Sequence, residues 1–184
     1  MLKIAIGLPT NRLVKPKTAE SLMKLVDYSN YDLEIIVSTR GYNTAENRNW
    51  ITAQAVKKGC DYLFMVDDDM IYEPDTLERL VEANRDIIGG LYYTKYEDKA
   101  PVLEYFDKPE EGLFKVKAMG GGLILIKCDV FKKVPQPWYG YKWNNLGAVT
   151  MSNDWFFCEK AREAGFDIWC DSSITAEHMG LKEY

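Results

Sequence analysis

Apolar residues in the first half of the chain follow two rhythms. Short continuous runs, "LKIAIGL" (2–8), "LEIIVS" (33–38), "CDYLFMV" (60–66) and "DIIGGLYY" (86–93), have the length and make-up of buried strands. Between them apolar residues are spaced. "KTAESLMKLVDYS" (17–29) places Leu22, Leu25 and Val26 at helical intervals, and "TAENRNWITAQAVKKG" (44–59) reads as a second helix with Gly59 just past its end. Pro74 suits the first turn of a third helix in "PDTLERLVEAN". Strand and helix therefore alternate over about the first 95 residues, which predicts a parallel sheet flanked by helices.

The second half changes rhythm. "PVLEYF" (101–106) and "LFKVKA" (113–118) predict a hairpin around the polar turn "DKPEEG". "GGGLILIKCDVFKKV" (120–134) predicts a glycine-led strand and a short helix, and "QPWYGYKWNNLGAVTM" (136–151) an aromatic loop. "SNDWFFCEKAREAG" (152–165) predicts a helix with Ser152 as N-cap and Gly165 beyond its C-terminus. "FDIWCD" and "SITAEHMG" close the chain as strand-like pieces. No repeat, linker or low-complexity segment interrupts it, so one α/β domain with a mixed C-terminal part is expected.

Composition narrows the class. At 184 residues the chain can bury one substantial core but hardly two, and 47% hydrophobic with 28% charged residues is ordinary for a globular domain. A net charge of −5 with no basic cluster argues against nucleic acid as the main partner. A polyanion such as a diphosphate would then need a local cation or a few placed arginines. No apolar run approaches the ~20 residues that cross a bilayer, so no transmembrane segment is expected. "MLKIAIGLPTN" reads as a first strand and not as a signal peptide. Cys60, Cys128, Cys158 and Cys170 form no C-x-x-C pair, and are expected as reduced, mostly buried thiols in a cytoplasmic protein.

Three features carry candidate chemistry. The strand at 60–66 runs into Asp67, Asp68 and Asp69, at the carboxyl end where open α/β sheets collect ligands. On an extended backbone Asp67 and Asp69 share a face, and two converging carboxylates suit Mg²⁺ or Mn²⁺; a solvated acidic turn is the plainer reading. His178, the one histidine, is either a satisfied packing residue or a further metal ligand. Asp154, in the first turn of its helix, is either placed there by the helix dipole or is a general base kept ionised by it. Trp155, Phe156, Phe157 and "PWYGYKW" (137–143) either pack the core or wall an acceptor site.

Taken in order, "VDDDM", "PDTLERLVEANRDIIGGLYY", "GGGLILIKCDVFKKVPQPWY" and "SNDWFFCEKAREAGFDIWCDSSITAEHMG" resemble glycosyltransferases of the GT-A fold, most closely compact family-2-type enzymes of viral and microbial kind. The resemblance spans about residues 3 to 180 and lies in the ordered set. It implies a Rossmann-like nucleotide-diphospho-sugar transferase fold: a single α/β domain with a mostly parallel central sheet, helices on both faces and a mixed C-terminal part. Residues 1–95 would form the nucleotide-binding half and 96–184 the half that completes the acceptor and metal sites.

The same resemblance implies site roles. The triplet matches the family's Asp-x-Asp motif, which binds a nucleotide-sugar through a divalent metal. Asp67 falls where the first aspartate approaches the nucleoside and metal, Asp68 near ribose or donor sugar, and Asp69 on the metal, with His178 completing it. Pro9, Thr10 and Asn11 match the loop under the nucleoside, and Thr39 and Arg40 the end of the second strand. Arg48 matches an arginine near the base or phosphate, with a surface or rim charge as the plainer reading for both arginines. Gly121, within Gly120–Gly122, matches a turn near the donor sugar. Asp154 matches the candidate base of the family's Glu-Asp pair, whose first member is Asn153 here.

The expected reaction is metal-dependent transfer of a sugar from a UDP- or GDP-sugar donor to a glycan or other hydroxyl acceptor, with Mn²⁺ or Mg²⁺ as cofactor. Attack assisted by Asp154 would invert the anomeric carbon; in a retaining enzyme Asp154 would only position substrate. A nucleotidylyltransferase is the rival enzyme class, although "GLPTNRLVKPK" lacks the glycine cluster expected of one. A non-catalytic nucleotide-sugar binding module is the rival outside enzymes.

Overall fold

A computed structural model describes residues 1–10, 13–39 and 41–180. The elements follow in the order β1 (Lys3–Pro9), α1 (Pro16–Tyr28), β2 (Asp32–Ser38), α2 (Thr44–Lys57), β3 (Tyr62–Val66), β4 (Met70–Tyr72), α3 (Thr76–Glu82), β5 (Ile87–Leu91), β6 (Leu103–Tyr105), β7 (Leu113–Met119), β8 (Leu123–Lys127), α4 (Val130–Lys133), β9 (Lys142–Trp143), β10 (Val149–Met151), α5 (Asn153–Glu163) and β11 (Ile168–His178).

Nine strands form one sheet in the order β2-β1-β3-β8-β5-β11-β7-β6, with β4 paired to β11 off that path. β1 pairs in parallel with β2 and β3, and β5 in parallel with β11. β8 lies antiparallel between β3 and β5, so the glycine-led strand of the second half separates two strands of the first. Most strands run one way, as expected, while β4, β7 and β8 run the other. The expected 101–118 hairpin forms as β6 and β7. The two terminal strand-like pieces are one strand, β11, whose pairing with β5 shifts register between Asp171 and Thr175.

Alternation along the central strands feeds two cores. Ala5, Leu63, Met65, Ile87, Ile124 and Ile126 point to one face and pack with Ile51 and Ala55 of α2 and Phe157 and Ala161 of α5. Their neighbours Ile4, Ile6, Phe64, Val66, Ile88 and Leu125 point to the other and pack with Leu25 of α1 and Leu77 and Leu80 of α3. Continuous apolar runs are what a strand buried on both faces requires. Burial of this kind stabilises by roughly 25 cal/mol per Å² of apolar surface, which is why these runs fix the strand set.

Local signals set the boundaries. Gly59 and Gly165 close their helices with φ of 68° and 88°, in the left-handed region. The side chain of Asn43 caps α2 by accepting from the Glu46 N–H at 3.0 Å. Ser152 occupies the N-cap of α5 without a side-chain cap bond. Pro74 lies just ahead of α3, which begins at Thr76 after the N-cap Asp75. The four cysteines are buried and free. The segment expected as an aromatic loop contains a small separate hairpin, β9 and β10, whose turn is held by Asn144 Oδ1 accepting from the N–H groups of Leu146 and Ala148 at 2.9 Å. Among the described residues no helix is long and apolar enough to cross a membrane.

Candidate active site

The carboxyl ends of β1 and β3, the start of α2, the start of α5 and the end of β11 surround one cavity of about 560 Å³. Its lining includes Pro9, Thr10, Arg48, Asp67, Asp68, Asp69, Asp154 and His178, so residues far apart in the chain meet there as expected. Thr39 is exposed past the end of β2 and is outside that lining. Asn11 and Arg40 lie outside the described residues.

β3 ends at Val66, so the triplet is on a turn and the expected strand alternation stops. Each carboxylate takes its own partner. Asp67 Oδ1 accepts from Arg48 Nη2 at 2.8 Å. Asp68 Oδ2 accepts from the Thr10 hydroxyl at 2.5 Å. Asp69 Oδ2 accepts from the Lys95 ammonium at 2.9 Å, while its Oδ1 lies 3.3 Å from His178 Nε2. Three adjacent like charges are tolerable because each faces a different donor.

The electrostatics differ accordingly. Asp68 is pushed above the usual carboxylate range by burial; the Thr10 hydrogen bond opposes this, and the neighbouring Asp69 and Asp67 charges add to it. For Asp69 burial also works upward, yet hydrogen bonds from His178 and Lys95 outweigh it and hold the carboxyl well below the usual range. Lys95 is raised in turn, mainly by its hydrogen bond to Asp69.

Arg48 is buried, at 2% exposure, beneath the cavity. Besides Asp67 it donates from Nη1 to Asn153 Oδ1 at 2.9 Å and makes a close ion pair with Asp154. Asn153 thus serves as a neutral acceptor on the guanidinium. Gly121 makes this seat possible: a Cβ there would lie 2.4 Å from Arg48 Nη1 and 2.6 Å from Cζ. Gly122 relieves Asp67 similarly, at 2.7 Å from Oδ2. Gly121 therefore shapes the site from beneath Arg48 and is not part of the cavity lining. Tyr72 ties the turn down, accepting from the Asp67 N–H at 3.0 Å and donating to the Gly122 carbonyl at 2.7 Å.

A divalent cation is testable against these residues. His178 Nδ1 lies 3.2 Å from the Tyr93 carbonyl, which as an acceptor calls for N–H on that nitrogen. With Nδ1–H so engaged, the hydrogen bond from His178 to Asp69 needs a second ring proton, on Nε2; in a neutral ring Nε2 instead turns a lone pair toward Asp69 Oδ1 and two acceptors face each other. A cation shared between them, or a second ring proton, satisfies both. The oxygen and imidazole donors of Asp69 and His178 fit Mn²⁺. Asp67 Oδ1 is engaged by Arg48, and among the described residues no three acidic, cysteine or histidine side chains gather as a metal cluster.

The lining residues Leu13, Lys15, Thr44, Asn47 and Lys95 were not singled out for the site from sequence, and two of them are cations. Lys95 lies past the end of β5, and that position at a carboxyl strand end was the available signal. Lys15, just before α1, donates to the carbonyls of Met179 at 3.1 Å and Gly180 at 3.3 Å, a contact across the chain that no local pattern reveals. The aromatic residues divide: Trp138, Tyr139 and Phe157 are core, with Tyr139 stacked on Phe157 at 5.1 Å, whereas Trp143 is 61% exposed on the small hairpin.

The sequence model of glycosyl transferase family 2 matches residues 15–134, well over half of the chain. The chain belongs to glycosyl transferase family 2. The matched stretch carries Arg48, the aspartate triplet, Lys95 and Gly121; Asp154 and His178 lie beyond it. No curated protein matches. Among solved structures the chain is similar to A197 from STIV, with a TM-score of 0.67 at 18% identity over 97% of this chain and 86% of that one. That likeness is one of fold, and it agrees with the GT-A architecture expected from the sequence.

Proposed function

We propose that this protein transfers a sugar from a nucleotide-diphospho-sugar, a UDP- or GDP-sugar, to a hydroxyl of a glycan or other acceptor, with Mn²⁺ or Mg²⁺ as cofactor. The observation that carries the reading is the convergence of the Asp67–Asp69 turn, His178 and Asp154 on one cavity in a chain of this family. Among the described residues the lining sets four carboxylates, Asp67, Asp68, Asp69 and Asp154, against three cations, Lys15, Arg48 and Lys95. A diphosphate entering such a site needs further positive charge. Asp69 and His178 would hold the metal, which supplies charge neutralisation for the leaving diphosphate.

The chain's own groups do the rest. The loop at Pro9 and Thr10 borders the nucleoside, and Asp67, held by Arg48, approaches the same nucleoside. Asp68, tied to Thr10, fixes the turn. Asp154 accepts the proton of the acceptor hydroxyl as it attacks the anomeric carbon, which inverts that centre. The ion pair with Arg48, itself bonded to Asn153, holds Asp154 in place for this.

Incubation with a panel of nucleotide-sugars and Mn²⁺ tests the reading. Release of nucleoside diphosphate supports transfer. Release of pyrophosphate would indicate nucleotidylyl transfer, and thermal stabilisation without turnover would indicate a binding module.

A further inference from the structure

We propose that Lys95 is a movable countercharge: it guards Asp69 against a free divalent cation and turns to the diphosphate when a donor arrives. This rests on the metal reading above and adds a role for a residue that reading does not use.

Three cations line the cavity among the described residues, and their commitments differ. Arg48 is buried at 2% exposure and engaged by Asp67, Asn153 and Asp154. Lys15 is bound to two neutral carbonyls at the end of the described chain. The ammonium of Lys95 instead sits 2.9 Å from Asp69 Oδ2, on the carboxylate whose other oxygen faces His178. Its side chain is 30% exposed, against 15% for Asp69, and it extends from the bend that follows β5. A lysine stem is long and flexible, and its three rotatable donors suit a phosphate as well as a carboxylate.

Two cations on one carboxylate repel. While Lys95 occupies Asp69, a divalent ion at Asp69 and His178 meets both a competitor and a like charge, so the free protein binds it weakly. A diphosphate brings several negative charges, and Lys95 can turn to it without leaving the cavity. Both cations are then wanted at once. Metal and nucleoside diphosphate thus strengthen each other's binding, and Lys95 is a source of that coupling.

The test compares wild type with Lys95→Met and Lys95→Gln, after melting curves establish that the variants fold. Free Mn²⁺ is followed by electron paramagnetic resonance with no nucleotide present. Binding of uridine and guanosine diphosphates is measured by calorimetry in EDTA. Mn²⁺ affinity is expected to rise about tenfold in the variants, while diphosphate affinity in EDTA falls about tenfold. A merely structural lysine would weaken both. Unchanged or weaker Mn²⁺ binding overturns the proposal, as does diphosphate binding that does not fall. If neither wild type nor variants bind Mn²⁺ even with a nucleoside diphosphate, the metal reading itself is wrong.

Discussion

Arg48 and Asp67 form a 2.8 Å ion pair in which the guanidinium is almost wholly buried. The same guanidinium reaches Asn153 and Asp154, so one side chain of α2 joins the aspartate turn after β3 to the start of α5. The two halves of the site are held in register through one buried group that is also part of the cavity lining.

Removing that group leaves carboxylates without their countercharge. Arg48→Met is expected to lose about 3–5 kcal/mol of stability, as for other broken buried pairs. Gly121→Ala is the gentler companion, since it keeps the charge and displaces the guanidinium by a methyl group placed 2.4 Å from Nη1. It should retain a cooperative urea transition while losing most sugar transfer. Equal activity of Gly121→Ala and wild type would show that Arg48 does not need this seat.

Asp68 and Asp69 should respond oppositely to pH. Asp69 has a lowered folded value, so the unfolded chain takes up its proton first as pH falls. Its contribution is complete above the ordinary carboxylate range and is lost as pH drops through and below it. Asp68 has a raised folded value, so its ionisation in the folded protein costs stability at neutral pH and that cost disappears on acidification. Asp68→Asn, whose amide oxygen can still accept from Thr10, is therefore expected to raise Tm at pH 7 by about 1–3 °C and to lose the advantage near pH 4. A calorimetric Tm series against pH reads both signs.

Asp154→Asn should leave donor binding intact and lower kcat by about 10²–10⁴. Asn153 still accepts from Arg48 in that variant, so the helix start keeps one of its ties. Single-turnover kinetics with saturating donor separates this outcome from a loss of nucleotide affinity, which would assign Asp154 to donor binding.

Much of the scaffold was legible because its signals are local. The runs at 2–8, 33–38, 60–66 and 86–93 became β1, β2, β3 and β5, and Gly59 and Gly165 ended their helices as their positions suggested. The insertion of β8 between β3 and β5 was not legible, because pairing partners are chosen across the whole sheet and "GGGLILIK" would bury equally well beside any apolar strand. In the site, Asp67, Asp69, Asp154 and His178 could be named from residue type and order. That Asp67 turns to Arg48 could not, because strand alternation was carried on through Asp67–Asp69, past Val66 where the strand ends. Lys15 and Lys95 were missed for a similar reason: their partners, Met179, Gly180 and Asp69, are brought to them only by the fold.

The most direct test follows nucleoside diphosphate release from UDP- and GDP-sugars in Mn²⁺ and in EDTA, for wild type and for Asp69→Ala. Wild type should release the diphosphate in Mn²⁺ and not in EDTA, and a folded Asp69→Ala should release none in either. Equal release by Asp69→Ala and wild type in Mn²⁺ would contradict the account.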